Sequence, residues 1–465
     1  MMTSPPSQYT FVPKFLQLSG MNILANLMVP VAGLVDVAFL GHLADLRHLA
    51  GVAIATILFN YIYWTFGFLR MGTTGMTAQA VGRGHQEEVL LIGLRNSLLA
   101  LVLGVGILIL QYPLRELGFT LLSATTSVKA AGQGFYDALI WGAPATLLNF
   151  VLLGWFLGRS QGKQVLLLSL VGNIANIALD YLFIVKLGWE STGAGAATAT
   201  SQYLMAGAGL MLIVMESGGD KAKAQINFPK LLLQVFDPAA LQAAFSLNRD
   251  ILVRTLIMVT SFSAFTNLGA GMGTIVLATN TLLLQIVTLA VYIIDGMAFA
   301  TESFAGIFYG QKEVNQLVGD QPDQSIQINQ SLNQLLPLIW VAGGLSLLGG
   351  LAIAIPIICF PLTIFSLLTK HLEVVEKTPH YVLWLLPVLG FGSLAFMLDG
   401  YFIGLMAGKI LLRSAIFASL VGFTPVAILA WQQQNPHLLW LALSLFMAGR
   451  VLPMAIAVPR TLNLR

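Results

Sequence analysis

The chain is short of charge and almost without cysteine. Of its 465 residues, 23 are Lys or Arg and 20 are Asp or Glu, together 9%, against about 25% in an ordinary soluble domain. So few polar groups exclude a water-soluble fold of this length. Cys359 is the one cysteine, which excludes an internal disulfide and any cysteine-based metal cluster. No G-x-x-x-x-G-K-[ST] phosphate loop occurs, so nothing in the chain suggests ATP-driven transport. A net charge of +3, thinly spread, gives no footing for a nucleic-acid partner. The amino terminus MMTSPPSQYTFVPKF lacks the basic stretch and small-residue cleavage site of a signal peptide, so the first apolar segment is expected to be a retained helix. All six histidines (His42, His48, His85, His371, His380, His437) fall at expected helix ends or in loops. That leaves no catalytic pair or metal cluster for an intramembrane enzyme, and the chain is not expected to be one.

What remains is apolar: 57% hydrophobic residues and a mean hydropathy of +0.82. A spanning helix needs about 20 such residues. Twelve segments qualify: 15–40, 49–80, 89–111, 131–157, 164–186, 193–215, 246–270, 275–307, 331–360, 380–405, 410–431 and 436–458. The expected fold is an all-α, multi-pass integral membrane protein. The longest polar interruption divides it into 1–215 (six helices), a cytoplasmic linker 216–248, and 249–465 (six helices). Asp237-Pro238 suggests a short amphipathic surface helix within the linker. With both termini cytoplasmic, inner loops and flanks hold fifteen Lys or Arg, Arg249 and Arg254 among them, and outer loops six. The positive-inside rule therefore favours that orientation, and a plasma (inner) membrane is the expected location.

The halves repeat each other. Gly154, Phe156, Gly158, Gly162 and Lys163 recur at Gly400, Phe402, Gly404, Gly408 and Lys409, an offset of 246. Gly72 and Gly82 match Gly296 and Gly306 at an offset of 224. The order of features is the same, so the repeat is parallel: an N-lobe and a C-lobe around a central cleft, the plan of a secondary transporter.

Acids inside these helices are few: Asp36, Asp137, Asp180, Asp295, Glu302 and Asp399. A carboxylate at a helix centre costs on the order of 3 kcal/mol, which favours function over a merely structural acid. For Asp137, near an outer helix end beside Tyr136, the structural reading is preferred. Asp36 and Asp180 lie about 33 Å and 26 Å along their helices from Lys14 and Lys163, level with Thr198, so three helices converge there. Asn173, Asn176 and Asp180 share one helix face, and Asn22 and Asn26 add polar groups below Pro30. Asp295, Glu302 and Asp399 form a second set, Glu302 and Asp399 at equal depth. Register 224 sets Asp295 and Glu302 against Met71 and Ala78, and register 246 sets Asp399 against Leu153. Such carboxylates, flanked by amide and hydroxyl oxygens, suit reversible capture of H⁺ or of a hard cation such as Na⁺. The sequence leaves that choice open.

PVAGLVDVAFLGHL (Pro30–Leu43), GNIANIALDYLFI (Gly172–Ile184) and MLDGYFIGLMAGK (Met397–Lys409), with the six-plus-six plan, resemble a MATE (multidrug and toxic compound extrusion) transporter, nearest the DinF-like branch. The resemblance covers almost the whole chain. It implies an antiporter that expels lipophilic, often cationic, organic compounds in exchange for H⁺ or Na⁺ by alternating access. It also implies a cation site at Asp36, Asn176, Asp180 and Thr198, with Na⁺ there if sodium is the coupling ion. Asn149 is the nearest match to an Asn lining that lobe. Asp399 fits a tenth-helix Asp that holds a cation in the NorM-like branch; that branch's seventh-helix Glu has no counterpart here, where Glu302 is the substitute. No cofactor is implied beyond the coupling ion. The expected partners are a small organic substrate and the bilayer, and the chain is expected to act as a monomer. The rival readings on the same fold are a lipid-linked precursor flippase and an organic-acid exporter, for example of citrate.

Overall fold

The computed structural model describes residues 7–43, 45–122, 124–217, 235, 237–318, 325–369 and 371–462. Among these residues the chain is helical throughout, with no strand. Twelve helices are long and apolar enough to cross a membrane, one for each expected segment. They are α1 (Val12–Gly41), α2 (Arg47–Gly82), α3 (Gln86–Ile109), α4 (Thr126–Gly158), α5 (Gly162–Lys186), α6 (Glu190–Glu216), α7 (Asn248–Gly271), α8 (Thr274–Val314), α9 (Gln334–Cys359), α10 (Leu372–Gly404), α11 (Gly408–Gln433) and α12 (Pro436–Leu462). Backbone amides have no water to bond in lipid, so each crossing must satisfy them internally, which a helix does. Large side chains such as Leu34, Val214 and Trp340 are exposed, as lipid-facing residues are.

Residues 218–234 and 236 of the expected linker lie outside the described residues. The short surface helix expected after Asp237 is not a separate element. Pro238 opens a helix that runs unbroken to Gly271, because no breaker interrupts the sequence between them.

Two compact units organise the chain. One comprises Leu24–Thr77 and His85–Ala244; the other comprises Met1–Ile23, Ala78–Gly84 and Phe245–Arg465. The second unit therefore takes in the start of α1 and the end of α2. Phe11 packs on Phe308 at 5.5 Å and Phe15 on Phe304 at 5.8 Å, while Gly296 lets α8 approach the backbone of Ile23. The core of this unit gathers Phe265, Leu385, Leu389, Trp440 and Phe446, and the Trp440 indole donates to Asn280 Oδ1 at 2.9 Å.

The repeated glycines are contact points between helices. In the first unit Gly154 lies on the Arg70 carbonyl, and Gly158 on Thr74 and Thr77. In the second, Gly400 lies on the Ala298 carbonyl, and Gly404 on Glu302 and Ala305. Arg70, Thr74 and Thr77 thus match Ala298, Glu302 and Ala305, an offset of 228 (298 − 70). The register of 224 drawn from glycine spacing is therefore one helical turn short. A four-residue slip keeps the same helix face, so a pair of glycines cannot reveal it; the packing does. Glu302 corresponds to Thr74 instead of Ala78, and Asp295 to Gly67 instead of Met71.

At Gly400 an added Cβ would strike the Ala298 carbonyl, whereas at Gly33 it would meet nothing within 4 Å. Gly400→Val is expected to destabilise the protein by about 1–3 kcal/mol through overpacking. Gly33→Ala is expected to leave stability unchanged or slightly raised. Melting of the two variants in detergent checks this; equal melting points would refute it.

Candidate functional site

The first unit holds a carboxylate pair. Asp36 sits two turns past Pro30, which is accommodated inside the continuous helix α1. Asp180 ends the α-helical part of α5, and the next six residues, Tyr181–Lys186, continue as a π-helix. A π-turn inserts an extra residue and frequently marks a functional position. Asp180 is fully buried and Asp36 is half-buried. The two side chains interact with each other, and among the described residues neither Asp180 carboxyl oxygen has a hydrogen-bond partner.

One turn before Asp180, Asn176 is buried, and its Nδ2 donates to Thr198 Oγ1 at 3.3 Å. The Thr198 hydroxyl donates onward to the Ala194 carbonyl at 3.0 Å, leaving the Asn176 amide oxygen free of that bond. Asp36, Asp180, Asn176 and Thr198 are thus tied into two contacts on α1, α5 and α6. With the Asn176 Nδ2 turned to Thr198, the set offers carboxyl, amide and hydroxyl oxygens, the chemistry of a hard-cation or proton site. Two carboxyl groups this close in an apolar interior repel when both are ionised, and a proton or cation between them removes the repulsion.

The other candidates in this unit separate. Asn149 is buried and donates to Gln202 through both the backbone carbonyl and the side-chain oxygen, at 2.9 Å each. Gln202 escaped the sequence reading because α6 carries many small polar residues and nothing singled it out. Asn173 turns to its own helix, donating to the Ser169 carbonyl at 2.7 Å. Asn26 is half-buried. Asp137 is an exposed surface acid paired with Arg115 at 2.8 Å. His48 is buried, bonded to Glu190 at 3.0 Å and Ser191 at 3.1 Å. Among the described residues no group of three or more His, Cys, Asp or Glu forms a metal site.

In the second unit, Asn22 is buried and donates to the Gly296 carbonyl at 3.4 Å. Asp399 is buried between two guanidinium groups, Arg254 of α7 and Arg450 of α12, each ion-paired to its Oδ2. Arg450 also lies over the Phe396 ring at 4.8 Å and interacts electrostatically with Asp295. Glu302 is buried on α8. Arg254, counted from the sequence among the cytoplasmic flank residues, is instead buried within α7. Its place six residues into the helix made it look like an interfacial charge. Both ion pairs of Asp399 fall on Oδ2, so this oxygen already serves two guanidinium groups.

The MatE family model matches residues 22–182, the stretch that contains Asp36, Asn176 and Asp180. DNA damage-inducible protein F of Escherichia coli (strain K12) is 31% identical over 442 residues, 93% of this chain and 89% of that protein. A probable multidrug resistance protein NorM of Acinetobacter baylyi is 26% identical over 291 residues, 60% of this chain and 62% of that one. Among solved structures, the outward-facing conformation of a multidrug resistance MATE family transporter of the MOP superfamily aligns with a TM-score of 0.83 at 20% identity, over 97% of this chain and 96% of that chain. That likeness concerns the fold.

Proposed function

The chain belongs to the MATE family of membrane transporters, and on that footing we propose that it is an antiporter exporting lipophilic or cationic organic compounds against an inward flow of H⁺ or Na⁺. The observation that carries the reading is the buried Asp36–Asp180 carboxyl pair with Asn176 and Thr198 beside it. A relative described as a probable multidrug resistance protein supports the substrate class. In this scheme both termini are cytoplasmic. Cation capture by the pair changes the packing of α1 against α5 and α6 and disfavours retained substrate; substrate arriving from the cytoplasm favours cation release. Such coupling requires the cation to bind the two lobe arrangements with different affinity.

The test is ethidium efflux from reconstituted vesicles, with a pH gradient and a Na⁺ gradient imposed separately, wild type beside Asp36→Asn. The reading expects efflux under one gradient and none in the variant. Efflux by Asp36→Asn at the wild-type rate would refute the coupling site. No wild-type efflux under either gradient would turn the search to the flippase and organic-acid alternatives.

A further inference from the structure

The two halves build the same turn and finish it with opposite charge. Between α4 and α5, Ser160 adopts φ 56°, its amide bonds the Leu157 carbonyl at 2.8 Å, and the Gln161 amide bonds Phe156 at 2.9 Å. Between α10 and α11, Met406 adopts φ 56°, its amide bonds Ile403 at 2.9 Å, and Ala407 bonds Phe402 at 2.9 Å. Each partner is displaced by 246 residues. The same offset carries the first residue of α6 onto that of α12, Glu190 onto Pro436.

In the first half the turn is closed by an acid of the chain itself. Glu216, at the end of α6, accepts from Arg159 at 2.7 Å, Gln161 at 3.0 Å and Gln164 at 3.3 Å. Carried across by 246, these four residues become Leu462, Leu405, Ala407 and Ile410, so acid and donors are both lost. A cavity of about 300 Å³ lies at that position, lined by Leu405, Ala407, Ile410, Arg413, Arg460 and Thr461. The two arginines replace apolar Leu167 and Val214 of the first half. Both are exposed, and among the described residues neither has a hydrogen-bond or ion-pair partner. Pro453 and Ala457 continue the lining along α12 as an apolar wall, beside the exposed Leu452 and Ile456.

We propose that this cavity binds the phosphate headgroup of an anionic phospholipid, which supplies the negative charge that Glu216 supplies in the first half. Arginines match phosphate geometrically and electrostatically, and basic pockets between membrane helices hold anionic headgroups. The apolar wall accounts for an acyl chain, which a soluble phosphate would leave unused.

The experiment is native mass spectrometry of the full-length protein in neutral detergent with phosphatidylglycerol or phosphatidylcholine, and a melting series with inorganic phosphate. Wild type is expected to retain phosphatidylglycerol about tenfold better than phosphatidylcholine, equivalent to about 1.4 kcal/mol. Arg413→Gln/Arg460→Gln should lose that preference. Leu462→Glu, which restores the acid of the first half, should lose it too while melting no lower than wild type. Retention of phosphatidylglycerol unchanged in both variants would overturn the proposal. So would stabilisation by inorganic phosphate with no lipid preference, which would give the same arginines to a soluble anion.

Discussion

Asp180→Asn is expected to reduce gradient-driven efflux to the level of protein-free vesicles while leaving the melting point within a few degrees of wild type. Asp180 is fully buried, it interacts with Asp36, and neither of its carboxyl oxygens has a hydrogen-bond partner among the described residues. An unpaired buried carboxylate is among the costliest groups a membrane helix can carry, so the amide, which is neutral and nearly isosteric, removes a burden on stability. What it takes away is the second half of the proposed cation site. On the proposal that the two acids act on one cation, the double variant Asp36→Asn/Asp180→Asn should be no worse than either single one, the non-additivity expected of groups in contact. Efflux losses that multiply, each single variant keeping a measurable rate, would show two independent sites and refute the shared-cation reading. Asn176→Ala separates the ions. If Na⁺ is coordinated, loss of one oxygen ligand should weaken the sodium dependence by about 10–100-fold, by analogy with supporting ligands at metal sites. If a proton alone is shared, the driving pH gradient should work almost as before.

The membrane helices were legible because their signal is one of length and composition, and lipid leaves the backbone no alternative to a helix. All twelve expected segments overlap the helices of the structure. The acid pair was legible for the same energetic reason: an acid in an apolar span is expensive enough to be noticed, and the depths of Asp36 and Asp180 could be counted from basic residues at the helix ends. Relations between helices were harder. The glycine register slipped by one turn because a helix returns to the same face every four residues, and only the carbonyls of Arg70 and Ala298 beneath Gly154 and Gly400 fix it. Arg254 was misplaced because long basic side chains near helix ends ordinarily reach for water; nothing in the sequence says that Asp399, 145 residues away, draws this one inward.

Asp399→Asn is expected to cost about 3–5 kcal/mol of stability, the usual effect of removing one partner from a buried ion cluster. The carboxylate sits between Arg254 and Arg450, which are 5% and 1% exposed. Without it, two guanidinium groups confront each other in a low-dielectric interior with the carboxylate that joined them gone. The protein should melt well below wild type and be recovered in low yield. Replacing all three residues together, as Asp399→Leu/Arg254→Met/Arg450→Met, should bring stability back to within about 1–2 kcal/mol of wild type, since an apolar cluster of similar volume avoids the desolvation of three charges. The opposite pattern would expose Asp399 as a coupling acid. A variant Asp399→Asn that melts like wild type but has lost gradient-driven efflux would mean that the arginines release it during transport. On the expected result, Arg254 and Arg450 hold α7, α10 and α12 together as fixed cations, and the exchangeable cation belongs to Asp36 and Asp180 alone.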